Sequence, residues 1–252
     1  IDFGGREGLI DMGFRAFEVE RQASFFTSGG LAAVHSTGRD RKSIWDSMKR
    51  KETYGTSGDR ILLWFDLIDG KNRIPMGGEI STKENPKFLV KAVGALIQKP
   101  GCPDYSDTKI SEEDLKSICK NECYNPSDER KMITRIEVIK VSPQIQPGEK
   151  VDNLIKDPWK IFDCPLDQSG CEISFEDASY SKDKRDVSYY VRAIQEPSPS
   201  VNAKNIRCEY NSKGECIKVN MCYGDNRTAK DDNCLSMIEE RAWSSPIYID
   251  YL

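Results

Sequence analysis

Cysteine and histidine are the residue types that limit the chemistry of this chain, which has nine cysteines and one histidine among 252 residues. A catalytic zinc or di-metal hydrolase site takes three or more protein ligands, usually with several imidazoles among them. The single histidine, His35, cannot supply such a set. We therefore predict no catalytic residue, no metal site and no cofactor in this chain, and we expect His35 to be partly buried where a strand meets a loop.

All nine cysteines lie in the second part of the chain, and none forms a Cys-x-x-Cys pair. The missing pair argues against zinc ribbons, thioredoxin-type redox centres and c-type haem attachment. The spacing instead favours three short disulfide closures, which pair Cys164 with Cys171, Cys208 with Cys216, and Cys222 with Cys234. The other three cysteines share one further bridge and one odd thiol, and they are Cys102, Cys119 and Cys123.

Disulfides predict an oxidising compartment, so we expect a periplasmic or extracellular protein. The alternative is a cytosolic protein with unrelated free thiols. The net charge of −4 does not suggest a nucleic-acid partner. The longest apolar run covers only residues 61–65, far short of the roughly 18 residues that cross a bilayer, so we predict no membrane span.

Other polar motifs carry weaker signals. Adjacent carboxylates are more often solvated than catalytic, and such pairs occur at 112–113, 231–232 and 239–240. Residues 226–228, Asn-Arg-Thr, fit the glycosylation acceptor triplet, which has meaning only in a eukaryotic secretory route. Residues 76–79, Met-Gly-Gly-Glu, lack the phosphate-loop pattern and predict a turn between strands.

The elements that position these residues are mostly strands. Helices are predicted at 14–24, 38–51 and 111–120. The second of them would be capped by Ser36 or Thr37, with Ile44, Trp45 and Met48 on its apolar face. Its other face is basic, which suits a solvated surface or, as the alternative, a patch that holds phosphate.

Segments rich in β-branched and aromatic residues predict strands at 53–58, 60–67, 88–93, 132–141, 187–194 and 247–251. The strand at 60–67 is apolar enough to be buried on both faces. Strands separated by long connections indicate a β-sandwich-like domain, so the fold class is α+β and mostly β. The Cys-rich segments at about 100–130 and 202–236 are predicted to be surface loops that disulfides cross-link.

Several stretches resemble the C-terminal part of one large bacterial family. They begin with GLAAV at 30–34 and MKRKETYGTSGDRI at 48–61, of which residues 52–61 are the most specific. Three further stretches are PMGG at 75–78, SYYVRAIQEPSP at 188–199 and EERAWSSPIY at 239–248. The family is the domain of unknown function thirty-six-oh-four, which is related to polymerase-and-histidinol-phosphatase (PHP)-type metallohydrolases.

The resemblance implies a distorted α/β barrel whose His and Asp residues bind metal ions and activate water for ester or phosphoester hydrolysis. Residues 1–58 would be the last helix and strand of the barrel, and residues 59–252 the β-sandwich-like domain. The His-rich motifs of the family have no match here, so this chain alone should be inert. Its expected partner is the upstream part of the same polypeptide, which would hold the divalent metal.

The resemblance therefore implies a non-catalytic C-terminal portion that closes the barrel and walls its cleft. The residues expected to line that cleft are Thr53, Tyr54, Thr56, Ser57 and Arg60. Arg60 could hold an anionic group with two hydrogen bonds, although a structural salt bridge is the commoner use of arginine. The alternative function is a non-enzymatic extracellular binding or assembly module whose exposed loops meet a partner.

Overall fold

The computed structural model describes the chain in several stretches, which are residues 29–103, 111, 113–114, 123–201, 208–220, 222, 228–229 and 231–252. The chain divides into two compact units. The larger comprises Leu31–Glu196 and Arg241–Leu252, and the smaller takes in Pro197–Glu240 with the residues before Leu31. The predicted division between residues 58 and 59 stays a prediction, and residues 31–58 share the larger unit with residues 59–196.

Strands dominate the described residues, which confirms the mostly-β fold class. In chain order they are β1 (Leu31–Val34), β2 (Thr53–Thr56), β3 (Leu62–Asp69), β4 (Asn72–Pro75), β5 (Glu79–Thr82), β6 (Lys87–Val93), β7 (Leu96–Gln98), β8 (Pro126–Arg130), β9 (Ile133–Val141), β10 (Ile155–Asp163), β11 (Cys171–Glu176), β12 (Val187–Val201), β13 (Cys208–Tyr210), β14 (Cys216–Val219), β15 (Leu235–Ser244) and β16 (Ile247–Tyr251). The boundary between the two units falls within β12 and β15.

Two large sheets build most of the larger unit, and β7 and β8 pair in a separate two-stranded sheet. One has eight strands in the order β1-β2-β15-β12-β16-β5, with β9 also paired to β12 and β10 paired to β9. Its pair β16–β5 is parallel. The other sheet has four antiparallel strands in the order β11-β6-β3-β4.

Strand β3 shows how the four-stranded sheet separates core from solvent. Leu63, Phe65 and Leu67 are buried, whereas Trp64 and Asp66 lie on the opposite face. The prediction that this strand is buried on both faces is wrong, because only one side of its sheet is covered and successive side chains point to opposite faces. Gly70, at a φ of +57°, lies in the turn that leads from β3 into β4.

The two sheets pack face to face around one hydrophobic core. The four-stranded sheet contributes Leu63, Phe65, Leu67, Phe88, Val90, Ala92 and Phe175, and the eight-stranded sheet contributes Ile136, Val138, Tyr189, Val191, Ala193, Ala242, Ile247 and Ile249. The Phe88 ring joins the two sets, with its centroid 4.9 Å from that of Phe175 and 4.8 Å from that of Tyr189. The described residues form this sandwich and no closed barrel.

Helices are short in the described part of the chain. They are α1 (Arg41–Lys49), α2 (Val151–Leu154) and α3 (Tyr180–Asp183). None of the helices in these stretches is long and apolar enough to cross a membrane. The predicted helix at 14–24 lies wholly outside the described residues, and that at 111–120 lies mostly outside them.

Helix α1 is shorter than predicted, and its apolar face differs. Its N-cap is Asp40, whose carboxylate accepts a hydrogen bond of 3.0 Å from the backbone N–H of Ser43, so the predicted cap at Ser36 or Thr37 is wrong. Trp45 and Met48, predicted for the packed face, are both more than half exposed.

Four disulfides lie in the described residues, and three of them join the pairs that the spacing favoured, while the fourth joins two of the three cysteines whose pairing was left open. The bridges are Cys102–Cys123, Cys164–Cys171, Cys208–Cys216 and Cys222–Cys234. Cys119, the third of the cysteines expected to share one bridge and one odd thiol, lies outside the described residues. The bridge Cys164–Cys171 connects the end of β10 to the start of β11, and these strands are the edges of different sheets. This bridge therefore ties the two layers of the sandwich together.

Candidate functional site

The five residues expected to line a cleft divide into two groups. Four lie in or directly after β2 and take part in the eight-stranded sheet. Thr53 Oγ1 lies 3.1 Å from Ser245 Oγ, and Ser57 Oγ accepts a hydrogen bond of 2.9 Å from the backbone N–H of Arg241. Tyr54 and Thr56 are buried in the larger unit. Arg60 differs from all of these, because it is exposed and lines an open cleft.

The Arg60 cleft has a volume of about 140 Å³ and is lined by Gly58, Asp59, Arg60, Ala95, Leu96, Gln98 and Tyr124. The Cζ atom of Arg60 lies 3.8 Å from the ring centroid of Tyr124. A guanidinium at this distance is held by cation–π attraction, which leaves its N–H groups free. Arg60 makes no ion pair within the described residues.

Asp59, which precedes Arg60, is already neutralised by other groups. Its Oδ2 atom lies 2.6 Å from Nζ of Lys131 and accepts a hydrogen bond from the side-chain amide of Gln195. Gln195 is fully buried and is fixed in turn by a 2.9 Å hydrogen bond from the backbone N–H of Ala95. Asp59 therefore does not neutralise the positive charge of Arg60.

A second cleft lies on the outer face of the four-stranded sheet, and we call it the outer-sheet groove. It has a volume of about 290 Å³ and is lined by Trp64, Asp66, Arg73, Leu89, Lys91 and Glu172. The register places Trp64 opposite Lys91, and Lys91 opposite Glu172. Residues that face each other across strands share one face of the sheet, so these three side chains form a row.

His35 packs beside this groove, directly after β1, and is half-buried as predicted. Its Nε2 atom lies 2.8 Å from the carbonyl oxygen of Leu63. A carbonyl can only accept a hydrogen bond, so Nε2 carries the proton. The imidazole centroid lies 5.8 Å from that of Trp64 and 5.4 Å from that of Tyr54. The histidine therefore supports the Trp64 ring.

Asp66 is an acidic residue of the groove whose pKa is shifted. Burial raises the pKa of Asp66, and the nearby Arg73 guanidinium opposes that rise. The Nη1 atom of Arg73 lies 3.4 Å from Oδ2 of Asp66, which is a long contact for an ion pair. The carboxylate is thus only partly paired.

A third cleft, of about 250 Å³, has the buried ammonium of Lys140 in its wall. Nζ of Lys140 lies 2.6 Å from Oδ2 of Asp177 and 3.3 Å from both Ser179 Oγ and Asp183 Oδ2. Tyr189 donates a further hydrogen bond to Asp177. All three N–H groups of the ammonium have acceptors, so this cluster stabilises the fold and leaves no free donor for a ligand.

One group in the described part of the chain has the composition of a metal site, and it belongs to the smaller unit. It consists of Cys222, Asp232 and Cys234, whose potential ligand atoms lie within 4.8 Å of one another. The two cysteines are joined to each other. Metal ions bind the thiolate form of cysteine, so the disulfide removes two of the three ligands.

Sequence reasoning singled out Arg60 but missed Tyr124 and the whole outer-sheet groove. The available signal was the alternation within β3, which puts Trp64 and Asp66 on the face away from Leu63 and Phe65. Their partners Lys91 and Glu172 come from other strands, whose register the sequence does not reveal.

Comparison with known proteins gives one match. A family described as Protein of unknown function (DUF3604) matches residues 10–66, which is less than a quarter of the chain. The matched segment includes β1, α1, β2 and part of β3, together with His35, Arg60 and Trp64. No curated protein and no solved structure matches the chain.

Proposed function

We propose that this chain is the non-catalytic C-terminal portion of a PHP-like, metal-dependent hydrolase that acts on an ester or phosphoester. Residues 1–58 would close the barrel of that enzyme, and the Arg60 cleft would form a cationic part of the wall of its active site. The family match over residues 10–66 supports the family assignment, and Arg60 lies inside the matched segment.

The described residues do not fit a catalytic metal. His35 supplies one imidazole, whose Nε2 is already hydrogen-bonded to Leu63, and the group at Cys222 is disulfide-bonded. The metal of the proposed enzyme therefore belongs to the upstream part of the same polypeptide. In this proposal the present chain contributes substrate binding and no step of water activation.

The observation that carries the proposal is the guanidinium of Arg60, which is held against Tyr124 without an ion-pair partner among the described residues. Stacking fixes the plane of the guanidinium, so less freedom is lost when its N–H groups bind an anion. Two parallel N–H groups match two oxygens of a carboxylate or phosphate. Lys131 neutralises Asp59, which reduces the repulsion that this carboxylate would exert on a bound anion.

The four disulfides support a location in an oxidising compartment, which means the periplasm or the exterior of the cell. Bridges of this kind persist where the glutathione pool of the cytosol does not reduce them. This part of the proposal is checked by intact mass of the protein isolated from its source without reductant.

Inorganic phosphate is the probe that tests the Arg60 cleft. We expect it to shift the side-chain Nε–H resonance of Arg60 in a titration followed by NMR, and we expect Arg60→Ala to weaken the affinity about tenfold. Arg60→Lys should retain part of the binding, since lysine keeps the positive charge but lacks the two parallel N–H groups of the guanidinium. Lys71→Ala, which removes an exposed positive charge in the turn between β3 and β4, is the control and should leave affinity unchanged. Phosphate binding that survives Arg60→Ala would contradict the proposal.

The full-length protein tests the enzymatic part. We expect bound divalent metal and esterase or phosphodiesterase turnover, and we expect Arg60→Ala to raise KM for an anionic substrate more than it lowers kcat, because the group binds substrate and moves no proton. Full-length protein with neither metal nor turnover would instead support the alternative, an extracellular binding or assembly module. The smaller unit favours that alternative in one respect, because its disulfide-closed hairpin exposes Tyr210, Ile217 and Val219.

A further inference from the structure

The outer-sheet groove combines one aromatic ring with polar side chains on three neighbouring strands. Trp64 on β3, Lys91 on β6 and Glu172 on β11 form one row across the sheet. Asp66 and Leu89 form the next row along the same strands. Opposite residues in antiparallel strands lie about 4.5–5.5 Å apart at Cβ, so the ring has polar groups beside it within the span of a small ligand.

Two of these polar groups are free to bind a ligand. Lys91 and Glu172 make no ion pair with each other or with any residue in the described stretches, although they are opposite neighbours. The lysine offers three donors, and the glutamate offers acceptors on both oxygens. Asp66 and Arg73 add a partly paired acceptor and donor. The groove therefore holds unused hydrogen-bonding capacity of both kinds.

The ring of Trp64 is held in place and still reaches solvent. It is 37% exposed, and the half-buried His35 packs against it while being fixed by the carbonyl of Leu63. A rigid aromatic residue supplies apolar contact area at low cost in conformational entropy. In a row that is otherwise charged, such a ring is an anchor of the type that dominates binding energy at recognition surfaces.

We propose that the outer-sheet groove binds a neutral saccharide, with one sugar ring stacked on Trp64 and its hydroxyl groups hydrogen-bonded to Lys91, Glu172 and Asp66. A sugar ring has an apolar face and a rim of hydroxyls that both donate and accept, which matches an aromatic ring flanked by mixed donors and acceptors. The two cations and two anions of the groove balance, so charge selects neither a polyanion nor a polycation. The volume of about 290 Å³ is at the lower end for small-molecule sites.

Three neutral hexasaccharides with different backbones test the inference, and we choose cellohexaose, xylohexaose and mannohexaose. We expect at least one of them to bind the whole chain in calorimetric titrations and to change its tryptophan fluorescence. Trp64→Ala should weaken that binding about tenfold or more, as loss of an aromatic anchor does. Trp45→Ala is the matched control, because Trp45 is also exposed but lies on α1 outside the groove, and it should leave the affinity unchanged.

Two milder variants guard against loss of the fold. Lys91→Met and Glu172→Gln alter only exposed groove side chains, and we expect each to weaken saccharide binding several-fold with an unchanged circular dichroism spectrum. Absence of binding by all three hexasaccharides, equal binding by Trp64→Ala, or stronger binding of dextran sulfate than of the neutral sugars would overturn the inference. Arg60→Ala should not change saccharide binding, so the outcome is independent of the proposed anion cleft.

Discussion

Replacing Lys140 with methionine is the sharpest test of how the larger unit is stabilised. Lys140 lies on β9, and its side chain is only 6% exposed, while that of its partner Asp177 is 1% exposed. Burial by itself would raise the pKa of Asp177, but hydrogen bonds from Lys140, Tyr189 and Ser179 together hold that pKa below its usual value. The substitution removes the charge that compensates this carboxylate and leaves the carboxylate buried.

Breaking a buried ion pair by removing one partner costs about 3–5 kcal/mol of unfolding free energy. The chain offers an exposed pair with the same Nζ–Oδ2 distance as a control. Nζ of Lys42 lies 2.6 Å from Oδ2 of Asp46, as in the buried pair, but these side chains are 85% and 39% exposed. We expect Lys42→Met to cost less than about 1 kcal/mol, because solvent screens the exposed pair. The difference between the two variants measures the effect of burial together with the additional contacts of Lys140 with Ser179 and Asp183.

The measurement is equilibrium unfolding in urea with the disulfides intact, followed by near-ultraviolet circular dichroism. The Trp159 ring reports on the cluster, since its centroid lies 5.4 Å from Nζ of Lys140. The double variant Lys140→Met with Asp177→Asn removes the orphaned charge as well, so it should recover part of the loss. If Lys140→Met costs no more than Lys42→Met at pH 7, the buried pair does not stabilise the sandwich and the reasoning is refuted.

Three other substitutions have defined outcomes. The folded-state pKa of Asp177 is depressed, so the stability that it contributes is present above the unfolded value near 3.8 and is lost as pH falls through the lower folded value. In urea titrations, Asp177→Asn should therefore flatten the loss of stability that occurs as pH falls below the unfolded value. Replacing Cys164 and Cys171 together with serine should lower the unfolding free energy by about 2–3 kcal/mol in calorimetry, because the loop between them is short. Gly77→Ala should lower the unfolding free energy more than Gly148→Ala does in the same assay, although both glycines have φ near +87°. An added Cβ at Gly77 would lie 2.4 Å from a backbone carbonyl oxygen, whereas at Gly148 it would meet nothing within 4 Å.

Strands were predictable from local pattern where β-branched and aromatic residues alternate between Gly- or Pro-containing turns. The strand predicted at 247–251 coincides with β16, and that at 132–141 differs from β9 by one residue. Strand β12 runs on to Val201, well beyond the predicted end at residue 194. Pro197 and Pro199 cannot donate to a ladder, so the local pattern ends before the strand does.

The disulfide pairs were also suggested by spacing, because each of the three short closures joins cysteines within 12 residues of one another. Helix α1 shows the opposite case. Its periodicity predicted that Trp45 and Met48 pack against the protein, yet Ser47 is the residue that the helix buries. Which side of a short surface helix meets the protein depends on the path of the flanking chain, and periodicity alone does not contain that path.

The candidate sites depend on contacts between distant segments, which is why their residues were found only in part. Arg60 was expected to line a cleft because of its place in the stretch that resembles the family, but Tyr124, which contacts it, lies 64 positions away along the chain. Trp64, Lys91 and Glu172 become neighbours only through the register of three strands. Register is decided by the burial of a whole strand face, so it emerges with the fold.

The core and the outer-sheet groove are therefore coupled through the register of β3. Leu63 and Phe65 enter the core because Trp64 and Asp66 point away from it, and side chains alternate with a period of two residues. A slip by one residue would place Trp64 inside the sandwich and Phe65 in solvent, and the burial of three large apolar side chains on this strand opposes such a slip. The position of the groove is thus maintained by core packing, so groove variants such as Lys91→Met should alter ligand affinity without changing the unfolding free energy by more than about 0.5 kcal/mol.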